Sequence, residues 1–121
     1  MRSDVEQAKP GQRVSIHGEI AMTEGMTLPG ERVVAMSAGV YAGGVLLVVA
    51  TSQRLYVHRA SKRMPVFRAW PLAEVSGVAW KSGFASGTLT FDVDGLTESV
   101  GGMPKKDGAR VVDALTVASL V

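Results

Sequence analysis

Thr88 to Val93 alternates without a break. Leu89, Phe91 and Val93 fall on one side, Thr88, Thr90 and Asp92 on the other. A period of two is that of a half-buried β-strand. The same reading, less regular, covers the stretch before it. Arg32 to Gly39 predicts a first strand, and Tyr41-Ala42-Gly43-Gly44 supplies the glycines of a turn. Val45 to Ala50 is continuously apolar, which predicts a strand buried on both faces or a very apolar edge. After a turn at Thr51-Ser52-Gln53, Arg54 to Arg59 resumes with Leu55 and Val57 on one face. Ala60-Ser61-Lys62-Arg63 reads as a basic hairpin loop, and Val66 to Trp70 as a fourth strand stopped by Pro71, which cannot donate to a ladder. Leu72-Ala73-Glu74 reads as a short connector of one helical turn. Val75 to Lys81 then places Val78 and Trp80 on one face. Ser82 to Gly87 reads as a loop with Phe84 as an embedded apolar anchor. Asp94-Gly95 is a hairpin signal, and Leu96 to Val100 completes a set of seven strands.

The period changes after Gly101-Gly102-Met103, read as a turn. Val111, Leu115 and Ala118, flanked by Val112, recur at helical spacing, and Pro104 suits the first helical position. An amphipathic helix over Pro104 to Ser119 is expected, its narrow apolar stripe docking on the open end of a barrel. The first thirty residues are ambiguous. Val14, Ile16, Gly18 and Ile20 alternate like a strand, whereas Glu19 to Met26 suits a helical turn packing Ile20 and Met26. Leu28-Pro29-Gly30 marks a boundary. Two parts follow: residues 1–30, an extension that packs on the domain or is partly mobile, and residues 31–121, the domain itself.

Composition narrows the picture. With 121 residues, 46% hydrophobic and 20% charged, the chain is long and apolar enough to form a core without staples. The absence of cysteine removes disulfide frameworks, thiolate catalysis and zinc ribbons together. The apolar run Val45 to Ala50 is far short of the ~20 residues that cross a bilayer, and no leader is read at Met1 to Pro10. A cytoplasmic protein without a transmembrane segment is expected. The chain has no Asn, two Ile, and abundant Val, Ala and Gly, a balance that points to a high-GC bacterium or its phage.

Four short motifs, in order, carry a family resemblance. Leu28-Pro29-Gly30-Glu31-Arg32-Val33, Val48-Val49-Ala50-Thr51-Ser52-Gln53-Arg54-Leu55, Trp70-Pro71-Leu72-Ala73-Glu74-Val75 and Gly101-Gly102-Met103-Pro104-Lys105-Lys106-Asp107 resemble motifs of bacterial pleckstrin-homology-like (PH-like) domains of the YokE-like branch. Ser52 and Gln53 depart from the family pattern, which has an acidic and a basic residue there. The resemblance spans Leu28 to about Val117. It implies a seven-stranded antiparallel PH-like β-barrel capped by one C-terminal helix, and no common biochemical activity.

Function is therefore read from charge and exposure. Net charge is only +2, but Arg54, Arg59, Lys62, Arg63, Arg68 and Lys81 cluster against Glu74 alone. Anionic lipid binding would use the hairpin cations Arg59, Lys62 and Arg63. The loop that eukaryotic PH domains load with cations is uncharged here (Val40 to Gly44), and Asp92 and Asp94 oppose the hairpin, so a solvated hairpin is the plainer reading. Nucleic-acid binding would use Arg54, Arg59, Lys62, Arg63 and Arg68 interleaved with Tyr56 and Phe67, but the rings alternate with the charges and this partner is disfavoured. Lys105 and Lys106 open the helix, where they would serve an anion or simply stand in solvent with Asp107 offsetting them. No enzyme is expected. His17 and His58 lack carboxylate partners in sequence, His58 reads as a surface residue of an alternating strand, and no cofactor or metal motif is present. What remains is an interaction module that binds a protein partner or its own copies. The groove between the fifth strand and the helix, with Trp80 and Lys81, is the candidate surface, although Trp80 also suits a core position.

Overall fold

The computed structural model describes residues 3–11 and 16–119, with side chains up to Val117. Seven strands, β1 (Val33–Tyr41), β2 (Gly44–Thr51), β3 (Arg54–Arg59), β4 (Val66–Pro71), β5 (Ser76–Ser82), β6 (Ser86–Val93) and β7 (Leu96–Pro104), form one antiparallel sheet in the order β4-β3-β2-β1-β7-β6-β5. Helix α3 (Lys105–Ser119) follows, and a single 3-10 turn, Leu72–Glu74, joins β4 to β5. This is the mainly β arrangement with a C-terminal helix that the sequence predicts, consistent with a PH-like sheet capped by a helix. The barrel, however, is not closed. The edge strands β4 and β5 do not pair; Pro71 ends β4 with a residue that has no donor, and the register of β5 shifts between Ser76 and Ala79.

Two cores form on opposite faces of β1–β3. On the inner face, Leu46, Val48, Ala50, Leu55, Val57 and Trp70 meet Leu89, Phe91 and Val93 of β6 and Val111 and Leu115 of α3. The stripe predicted for α3 is the one buried; the Ala118 side chain lies outside the described residues. On the outer face, Leu47, Val49 and Tyr56 are covered by α1 (Ser3–Ala8) and α2 (His17–Met26) through Val5, Ala8, Ile16 and Ile20. Both faces of β2 are thus buried, which is why its sequence carries no polar alternation. The helical alternative for Glu19 to Met26 is the one adopted, with Ile16, Ile20 and Thr23 buried at helical spacing; Val14 lies outside the described residues.

Three further expectations change. Pro104 ends β7, and the helix begins at Lys105. Gly101-Gly102 is not a turn, because β7 runs through it. Val40 of β1 pairs with Gly101, Gly102 has φ +60°, and a Cβ on Gly102 would sit 2.9 Å from Val40 Cγ2. Gly102 permits the close approach of β7 to Val40 of β1. His58 is not a surface residue. It is 7% exposed, edge-on to Phe67, and burial holds its pKa below the ordinary value despite the nearby Glu19.

Hydrogen bonds tie the N-terminal helices down. Asp4 Oδ2 accepts from the Val33 amide at 2.7 Å. Both carboxylate oxygens of Asp107 on α3 accept from the Gly11 amide (3.0 and 2.9 Å), and Arg110 donates to the Gln7 carbonyl at 3.1 Å. Glu19 of α2 accepts from the Ala60 amide at 2.8 Å.

Candidate functional site

The structure separates the cations that the sequence runs together. Arg59 is 8% exposed and donates to the carbonyls of Tyr41 (2.6 Å), Val45 (3.1 Å) and Met64 (3.3 Å), binding the β1–β2 turn to the β3–β4 loop. A guanidinium buried among backbone acceptors has few donors left for a ligand. Arg54 pairs with Glu31 at 2.8 Å and lies 4.8 Å from the Tyr56 ring centroid. Tyr56 is wholly buried, and burial pushes its hydroxyl pKa up to about 12; Thr23 lies close enough to oppose this slightly, although no well-formed hydrogen bond links them. Arg68 pairs with Glu98 at 3.0 Å and donates to the Tyr41 hydroxyl at 2.6 Å, a link that joins β4 to β1 and β7. Of the cations in that run up to Arg68, Lys62 and Arg63 stay exposed with no ion pair among the described residues.

Trp80 fills the β5–α3 groove rather than lining an empty one. Its ring lies between β6 and α3. A Cβ on Gly87 would come within 2.5 Å of it, and one on Gly108 would overlap it. Val75 and Val78 pack beside it on the inner core. Lys81 is exposed at the end of β5, as are Lys105 and Lys106 at the start of α3. Asp107 binds Gly11, so it belongs to the clamp on the N-terminal segment rather than to the two lysines.

β4 is one of the two open edges of the sheet, the other being β5. Leu72 N donates to Gln53 O at 3.0 Å, and antiparallel alternation then places Trp70, Arg68 and Val66 in the hydrogen-bonded pairs with β3. The amides of Phe67 and Ala69 therefore point away from the sheet. Phe67 is 49% exposed and packs against Tyr56 at 5.5 Å and edge-on to His58 at 6.2 Å. A cleft of about 290 Å³, lined by Leu28, Gln53, Arg54, Ala69 and Pro71, flanks the outer face of the strand. A second, of about 360 Å³, lies on the seam side among Arg68, Trp70, Asp94, Leu96 and Glu98. The sequence carries a sign of this edge: Pro65 and Pro71 bracket the strand at the parity that makes no ladder bond.

Among the described residues no cluster of three or more His, Asp or Glu could hold a metal, and no helix is long and apolar enough to cross a membrane. No protein-family model matches the chain, and no curated protein matches it significantly.

Proposed function

We propose that this chain is a non-enzymatic, cytoplasmic interaction module of the PH-like kind its motifs resemble, and that it self-associates by adding the β4 strand of a second copy to its own β4. The observation that carries the reading is the open edge: two outward-pointing amides, at Phe67 and Ala69, on a strand whose two faces border clefts. Unpaired edge donors and acceptors are a template for strand addition. A two-fold, antiparallel register placing Phe67 opposite Phe67 of the second copy gives about four backbone hydrogen bonds. Shifting by one pairing step would set Arg68 against Arg68 of the second copy, a like-charge contact that disfavours it.

Light-scattering mass across a concentration series, with amide exchange at Phe67 and Ala69, tests this. Mass rising towards a dimer together with slowed exchange at those two amides is expected, and Ala69→Pro should restore the monomer, because that amide makes no bond within the sheet. A chain that keeps monomer mass at about millimolar concentration, with both amides exchanging freely, overturns the proposal.

A further inference from the structure

Phe84 is the most exposed large apolar side chain among the described residues, at 101% of its reference area. The sequence reading makes it an anchor inside a loop. It anchors nothing. Instead β5 and β6 form a tight hairpin, closed by the Gly83 amide on the Ser86 carbonyl at 2.7 Å, and Phe84 stands at its tip between Gly83 and Ala85. No wall of larger side chains surrounds it, since Ser82 to Ser86 are all exposed.

Cations rim this tip. Lys81 pairs with Thr88 at the base of the hairpin on one side. On the other, Ser86 pairs with Pro104, and Lys105 and Lys106 follow directly after that residue in the first turn of α3. The Trp80 ring against Gly108 holds that first turn of α3 beside β5. Lys81, Lys105 and Lys106 are exposed and make no ion pair among the described residues. Residues 79–88 contain no acid, and Asp107 is 4% exposed and bound to Gly11. By strand register, the tip lies at the opposite end of the sheet from Lys62 and Arg63. The site is therefore separate from the basic hairpin, and it is independent of β4.

We propose that the β5–β6 tip is a contact for an anionic bilayer surface, with Phe84 entering the boundary between headgroups and acyl chains and Lys81, Lys105 and Lys106 lying at the level of the lipid phosphates. A convex apolar tip with a cationic rim matches a soft, negatively charged surface. A soluble phosphate would leave Phe84 without a use, and a folded protein partner would need a socket for it. Nucleic acid is disfavoured because the tip offers one ring and no second stacking platform along a strand path. The contact is weak, reversible and salt-sensitive, since one ring and three charges form it.

Co-sedimentation of the intact chain with vesicles of phosphatidylcholine containing about one-third phosphatidylglycerol, at about 0.1 M salt, tests this. Binding to these vesicles, and little to pure phosphatidylcholine, is expected. Phe84→Ser should weaken it about tenfold, and neutralising Lys81, Lys105 and Lys106 to Gln roughly fivefold per residue. Lys62→Gln with Arg63→Gln should leave it unchanged. The Phe84 side chain touches nothing, so its variant keeps the fold, which circular dichroism verifies. No binding to anionic vesicles overturns the proposal, as does binding indifferent to Phe84→Ser. Binding to a single-stranded oligonucleotide that depends on the same residues, without vesicle binding, overturns it in favour of nucleic acid.

Discussion

The Glu31 side chain has no exposed surface yet carries a charge, and its donors explain how. The Leu28 amide (2.9 Å), the Thr51 hydroxyl (2.6 Å) and Arg54 Nε (2.8 Å) all point at its two oxygens. Burial alone would raise its pKa. The side-chain bonds from Arg54 and Thr51, the Leu28 amide and the Arg54 charge outweigh burial, and the carboxyl sits below its ordinary 4.5. A carboxylate depressed in the folded state adds stability that is complete above about pH 4.5 and is lost as pH falls through the lower, folded value. Glu31→Gln should cost about 3 kcal/mol in denaturant unfolding near neutral pH, because the Arg54 charge, 13% exposed, is left partly uncompensated. The same variant should flatten the acid limb of stability against pH; an unchanged limb would assign that limb to other carboxylates. Thr51 also accepts from the amides of Gln53 (3.1 Å) and Arg54 (3.0 Å), so the β2–β3 turn is braced by a hydroxyl where the resembled pattern uses an acid one residue on.

At the scale of elements, α3 is positioned by the absence of a side chain. Gly108 in the interior of a helix ordinarily costs about 1 kcal/mol against Ala, but here the missing Cβ admits the Trp80 ring, with Gly87 on its other side. Gly108→Ala should therefore lower stability by about 1–3 kcal/mol instead of raising it. Trp80→Leu, combined with it, should recover most of that loss in a double-mutant cycle. A stabilising single substitution would mean the ring swings out freely. The elements legible in the sequence are those whose neighbours lie on the same face: the alternation of Leu89, Phe91 and Val93, the run of β2, and the stripe of Val111 and Leu115. Others were illegible because their reason is tertiary. Gly101-Gly102 reads as a turn until Val40 is seen crossing it. The stretch from Ile16 to Met26 contains Gly18 and Gly25 and no side-chain cap, so its helix is held by packing on Leu47, Val49 and Tyr56 rather than by propensity. Of the candidate surfaces, Pro65 and Pro71 announce the β4 edge, whereas nothing local says that Phe84 lacks a partner.

The whole molecule is a sheet with two unlike coverings, α3 on one face and α1 with α2 on the other, and Asp107 links the two by holding Gly11. Asp107→Asn removes the charge from a bond that uses both carboxylate oxygens, and an asparagine offers only one acceptor. Faster amide exchange confined to α1 and Gly11, with little change in β6, is the expected result; uniform acceleration would mean that the outer layer has no separate opening. The clasp also has a timetable. Gly11 and Asp107 are 96 residues apart, and at about 5–20 residues per second a ribosome needs roughly 5–20 s to supply the second half of the clasp after the first. For much of that interval the polar ties from α1 and α2 to the sheet are those of Asp4 on Val33 and Glu19 on Ala60. The ties from α3 to the outer layer are the last that synthesis can close.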